Sequence, residues 1–547
     1  MSITEDPAPV AGGSSPSKHG YRRAIQVTDE VKNHCHIYLD EQIYSTALTL
    51  LNDLVVAGAS HPDCGGRPVI APDPHHIELA SALLIHPRPT PQEALNVAYP
   101  SRALTFLRNV FSIPGPLNAN LSEAFSFFPV GSSRKSRGSR HVVKYEDSSS
   151  GSDTEDKQEH VNGIIANNGR IRRCAKDFWH MVGWAFNCSV RYPRRWKVWK
   201  VWLDYMLDVL DADWAEREKQ DLDEPCANRN DEEIEESWKL RRQSLIVRYL
   251  SDAVNKSHAM KRVVRSAFAD GDAESLKDFP EIFPNETKKP KYQSGQKRKR
   301  EDPAGKMFVI HDVEDEAEFE SCGTSESSQD DAADENMSGE TWLGDMDSIA
   351  LRQRVIMLLS RVSAYLPDCF AGIVDVYDEI YQCTIRLPLP AFALFMSTTE
   401  SSQLPQVVFV SLAQLLLLRL LPMSAPRPQT VEEGRNSDDV TQLVLERCFL
   451  PFAASNASVF DNARVSILAE NFLRILVQTG GCEYTPVLKA AVEKGILARE
   501  TKIKGDKRRK GSDARSKVDE GETFWLKASG QRMRCQIAVL KQIAAAG

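Results

Sequence analysis

Imidazole and thiolate groups are the usual holders of zinc, and this chain concentrates them near its start as His34-Cys35-His36, His61, Cys64 and His75-His76. Zinc modules place paired ligands at fixed short spacings so that one turn wraps the ion, and these spacings match no such module. Adjacent residues on a helix also point in different directions. The cluster therefore reads as surface histidines around a buried cysteine, with no metal expected. The carboxylate pairs Glu232-Glu233 and Glu235-Glu236 have the chemistry of an acid and a base, but a solvated helix face accounts for them. No GxxxxGK[ST] phosphate loop, GxGxxG turn, HExxH helix or GxSxG elbow occurs. The common enzyme signatures are excluded, and neither a catalytic residue nor a cofactor is expected.

The basic residues carry more information. Lys288-Lys289-Pro290-Lys291 and Lys297-Arg298-Lys299-Arg300 form two clusters five residues apart, the pattern of a bipartite nuclear-localisation signal. Such a segment fits the acidic groove of an import receptor, so the expected compartment is the nucleus. From Asp312 to Glu335 there follow eleven acids and no Lys or Arg. Self-repulsion and low hydrophobicity predict a solvated, extended tract. Between the two, Phe308-Val309-Ile310 precedes a run of acids and is similar to SUMO-interacting motifs. The resemblance implies that SUMO, or a SUMO-modified protein, gains a strand from this segment while the acids meet its lysines. A further basic stretch, Lys502 to Lys517, has eight basic and two acidic residues. Its centre, Lys507, Arg508, Arg509 and Lys510, is a candidate for weak phosphate or nucleic-acid contact or for a second import signal.

Composition is consistent with that picture. A chain of 547 residues exceeds one compact core, and 42% hydrophobic residues supply material for several. A net charge of -8 argues against a surface that coats nucleic acid throughout, leaving local basic segments as the sites of any such contact. The eleven cysteines lack any CxxC pair and suit a reducing compartment. The longest apolar run, Val407–Leu421, is broken by Ser411, Gln414 and Arg419 and is too short to cross a bilayer. A buried core helix is expected there, and no membrane contact.

The elements that position these groups read as helices. Ile43, Ala47, Leu50, Leu51 and Leu54 recur at helical spacing. Asp73-Pro74, Thr90-Pro91 and Thr485-Pro486 place a capping oxygen before a proline at the first helical position, and Thr90-Pro91-Gln92-Glu93 is a capping box. On a helix beginning near Pro193, Trp196, Trp199, Trp202, Leu203, Met206, Leu207, Val209, Leu210 and Trp214 fall within an arc of about 160°, with Lys197, Lys200, Asp204, Asp208 and Asp211 opposite. This predicts a tryptophan seam in a core rather than a base-stacking platform, and a Lys200–Asp204 ion pair along the helix. Further helices are expected at about 348–366, 370–383, 389–398, 405–421, 437–453, 460–478 and 486–498, with Gly480-Gly481 as a stop.

The fold class is thus all-α: an irregular helical bundle or α-solenoid-like blocks separated by charged linkers expected to be disordered. The organisation is a disordered tail at 1–25, a helical block at 26–129, a basic then acidic linker at 130–165 and a tryptophan-rich helical block at 166–285. A linker with the import signal and acidic tract follows at 286–341, then a helical block at 342–500, a basic loop at 501–520 and a terminal helix at 521–547. Within the second linker-like stretch, Ser152 and Thr154 precede acids in a context for acid-directed phosphorylation. These features together suggest a non-enzymatic nuclear scaffold that docks protein partners, in chromosome maintenance or DNA repair by analogy. The alternatives are an RNA-processing or ribosome-biogenesis factor, and an enzyme with an unrecognised site.

Overall fold

A computed structural model describes residues 20–57, 67–87, 99–127, 165, 170–223, 238–254, 256–288, 343–432, 439–504 and 513–546. The fold is all-α, with one pair of three-residue strands among the described residues. The principal helices are α1 (Asp29–Asp40), α2 (Tyr44–Val56), α3 (Pro74–Ile85), α4 (Tyr99–Ser112), α5 (Phe178–Arg191), α6 (Pro193–Asp223), α7 (Ser257–Ser266) and α8 (Met346–Tyr365). They continue as α9 (Ile373–Thr384), α10 (Gln406–Leu420), α11 (Val459–Gln478), α12 (Pro486–Lys504) and α13 (Asp513–Ala546).

Capping chemistry starts many of them. Asp73 accepts from the His75 amide at 2.9 Å with Pro74 in the first turn, and Thr485 Oγ1 accepts from the Leu488 amide at 3.0 Å ahead of α12. Asp177, Asp345 and Ser458 cap α5, α8 and α11 in the same manner. At the end of α11, Gly480 takes a φ of +70°, a left-handed conformation that costs glycine nothing. The expected box at Thr90-Pro91-Gln92-Glu93 lies outside the described residues.

Several sequence expectations shift. Residues 20–26 belong to the fold rather than to the tail. Ala24–Gln26 (β1) pairs in parallel with Val69–Ala71 (β2), in the register Ala24 to Val69. Arg22 is buried and donates to the Arg67 carbonyl at 3.1 Å, which ties this segment down. In α2 the buried stripe is Tyr44, Ala47, Leu48, Leu51 and Val55, while Ile43, the residue before the helix, is exposed. The stripe is turned because α4, α1 and β2 pack on the side of the helix that carries the i, i+4, i+7 row from Tyr44. α12 continues to Lys504 and α13 begins at Asp513, so the expected basic loop is shorter than its composition suggests. Lysine and arginine are good helix formers where nothing else decides.

α10 is the expected core helix, burying Phe409, Val410, Leu412, Ala413, Leu416 and Leu417. No described helix is long and apolar enough to cross a membrane. α11 is packed by α10, α12 and α13 and is buried along almost its whole length, giving a bundle with a central helix. One hydrophobic core runs from Cys35 through the tryptophan block to Leu540. α6 is its axis, touching α3, α5 and α8.

Candidate functional site

α6 divides its labour between two sides. Trp196, Trp199, Trp202 and Trp214 are all buried, so none offers a face on which a base can stack. Three of their indole N–H groups join α6 to distant parts of the chain. Trp202 donates to Ser81 Oγ at 2.9 Å, Trp199 to Glu286 at 3.1 Å and Trp196 to Asp345 at 3.0 Å. Glu286 has a fully buried carboxylate and also accepts from Arg195 Nε at 2.8 Å and from the amides of Ile282 and Phe283 at 3.1 Å. A buried charge survives when its lone pairs are filled in this way.

The other side of α6 meets α8. Lys200 and Asp204 have the spacing of a helical pair, yet each turns to α8 instead: Lys200 reaches Asp347 at 2.7 Å, and Asp204 reaches Arg354 at 2.8 Å. A bidentate guanidinium offers more donors than an ammonium on a neighbouring turn. Arg354 also binds Asp208 at 2.7 Å and Asp211 at 3.3 Å, and Arg361 binds Asp211 at 3.0 Å. Beside these pairs the two helices leave an open groove of about 830 Å³, lined in part by Asp204, Asp208, Asp211, Glu218, Trp214 and Tyr365. Burial, and then the neighbouring Asp208 carboxylate, raise the Asp204 carboxyl above its ordinary pKa.

One end of the groove rests on a stacked arginine. Arg241 is 1% exposed; its guanidinium lies 3.9 Å from the Trp238 ring centroid, 5.4 Å from Tyr365 and 6.0 Å from Trp214. It pairs with Glu218 at 3.1 Å and with Asp221 at 3.6 Å. Trp214 is 1% exposed and its Nε1 has no acceptor. The groove can hold cationic side chains against its carboxylates, which is the chemistry of a basic peptide. Sequence reasoning placed Asp204, Asp208 and Asp211 on one face but gave no sign that Arg354 and Tyr365 would face them across 143 to 161 residues; Trp238 and Arg241 were missed altogether.

The histidine cluster is half assembled. His36 on α1 meets His75 and His76 at the start of α3, with ring centroids 5.5 and 4.8 Å apart. His75 and His76 are buried, correcting the expectation of surface histidines, whereas Cys35 is buried as expected. The reason is Asp73-Pro74: the cap starts α3 immediately before them and turns their side chains into the block. His75 Nε2 lies 3.3 Å from Arg170, and Arg172 bonds Glu78 at 3.1 Å, so cations already occupy the rim. Neither ring nitrogen of His76 has a partner. Burial, and secondly His36, push the His76 pKa down to about 3, and burial also lowers that of His36. No group of His, Cys, Asp or Glu among the described residues is arranged to hold a metal ion. His61 and Cys64 lie outside the described residues.

Of the import signal, Lys288 is described and exposed; Lys289, Lys291, Lys297, Arg298, Lys299 and Arg300 lie outside the described residues. So do Phe308, Val309 and Ile310 of the SUMO-like motif, Lys507, Arg508, Arg509 and Lys510 of the basic loop, and the carboxylate pairs at 232–236. Lys502 serves the fold, donating to the carbonyls of Ala454 and Ser455. The chain matches no known family, no curated protein and no solved structure.

Proposed function

We propose that this protein is a non-enzymatic nuclear scaffold whose α6–α8 groove docks a lysine- and arginine-rich segment of a protein partner. The observation that carries the reading is an open groove on the axis of the fold lined by four carboxylates and two guanidiniums, with three of the carboxylates sharing Arg354. A rigid helical body with charged segments between its parts suits a protein that gathers partners, and the two basic clusters around Lys288 and Lys297 supply the nuclear address. The segment at Phe308–Ile310 adds a second kind of partner, SUMO or a SUMO-modified protein. Chromosome maintenance or DNA repair is the favoured setting, by analogy with other scaffolds that carry such motifs. An RNA-processing role is the second reading and rests on the alternating basic and acidic tracts.

Affinity purification from nuclear extract, with and without nuclease and with wild type beside Asp204→Asn/Asp208→Asn, tests the reading. Nuclease-resistant partners that disappear with the groove variant are expected. Recovery that depends on RNA and ignores the groove would transfer the protein to the second reading.

A further inference from the structure

The lining of the α6–α8 groove is acidic: four carboxylates, Asp204, Asp208, Asp211 and Glu218, against two guanidiniums, Arg354 and Arg361, a net charge of -2. From outside the lining, Arg241 pairs with Glu218 and Arg108 acts on Asp204. Three carboxylates converge on the single guanidinium of Arg354, so another cation entering beside it would relieve repulsion among them.

The chain itself carries a basic segment, and its two ends leave the fold near the N-terminal part of α6, within chain reach of this groove. Residues 289–342 connect Lys288 to Leu343. Just before the first end, Glu286 is fixed to Trp199 and Arg195 on α6. Just after the second, Asp345 is fixed to Trp196 on the same helix, and α8 runs from there along the groove. Along α6 the rise from Trp199 to Asp211 is about 18 Å, and the groove faces about half a turn away around a helix some 10 Å across. Nine residues lead from Lys288 to Lys297 and span up to about 30 Å when extended, enough to reach Asp204–Asp211.

We propose, resting on the groove as a dock for basic peptides, that Lys297–Arg300 of the same chain occupies it when no partner is bound. Tethering at both ends gives this segment an effective concentration on the order of millimolar, so a modest intrinsic affinity fills the groove. The cluster in the groove is then withheld from the import receptor, and a partner's basic segment that displaces it exposes the signal. Partner docking and import are thereby coupled through competition for one set of carboxylates.

Two measurements on the full-length chain test this. Zero-length carbodiimide cross-linking followed by mass spectrometry should join Lys297 or Lys299 to Asp204, Asp208 or Glu218; cross-links from these lysines only to the acids of 312–335 overturn the proposal. A fluorescent peptide of residues 288–302 should bind Lys297→Ala/Arg298→Ala/Lys299→Ala/Arg300→Ala at least tenfold more tightly than wild type. That gain should vanish when Asp204→Asn/Asp208→Asn is added at an unchanged melting temperature. Equal binding to wild type and the alanine variant overturns self-occupancy while leaving the groove a peptide dock. Binding to neither overturns both this proposal and the docking role of the groove.

Discussion

Glu286 and His76 are both buried polar groups at junctions between segments, and they are treated in opposite ways. Glu286 collects four donors, from Trp199, Arg195 and the amides of Ile282 and Phe283, so its charge is matched where it sits. His76 is equally buried, with no partner for either nitrogen, and stays neutral only because a proton there would be desolvated beside His36 and His75. The first arrangement ties the α6 junction together through four hydrogen bonds. The second leaves the contact between α1 and α3 sensitive to acid.

Trp199→Ala attacks the satisfied junction most severely. It opens a cavity in the core and removes one of Glu286's donors, and it should cost about 3 to 5 kcal/mol in denaturant unfolding. Glu286→Gln keeps the shape and removes the charge, leaving Arg195 without its carboxylate; a loss of about 2 to 3 kcal/mol is expected by the same measurement. An unchanged midpoint for either variant would dissolve the contrast with His76.

At the unsatisfied junction the test is pH. The folded pKa values of His76 and His36 lie below the unfolded value of about 6.5, so the unfolded chain takes up protons first as pH falls. Their contribution to stability is therefore complete above about pH 6.5 and is lost progressively on acidification towards the folded pKa, near 3 for His76. Between pH 7 and 5 the loss should be about 2 kcal/mol for His76, judged at 1.36 kcal/mol per pH unit below 6.5. His76→Leu should flatten that slope. His36, whose pKa burial also lowers, should leave a smaller residual dependence. The smallest effect belongs to the exposed pair across α6 and α8. Lys200→Ala removes a bond to Asp347, itself 64% exposed, and should change stability by less than about 0.5 kcal/mol. A larger loss would mean that the α6–α8 contact depends on surface charge rather than on the buried tryptophans.

The helices were largely legible because their signals are local. Asp73-Pro74 and Thr485-Pro486 start α3 and α12 as read, and the tryptophan stripe of α6 follows from spacing alone. The candidate groove was legible only by halves. Asp204, Asp208 and Asp211 share a face in any helix of this sequence, but their counter-ions come from α8, and a helical ion pair was the nearest local alternative for Asp204. Trp238 and Arg241 carry no periodic signal, since they sit on an irregular turn held by Asp221.

Sequence by itself determined the all-helical class, the faces of α6 and the burial of its tryptophans, because capping, periodicity and hydrophobicity act within a few turns of chain. Only the tertiary structure decided which acids share a guanidinium, which donor lacks an acceptor and where the two ends of the basic segment leave the fold. Those outcomes depend on the packing of α6 against α8, whose contacts join residues some 150 positions apart and have no trace in local spacing.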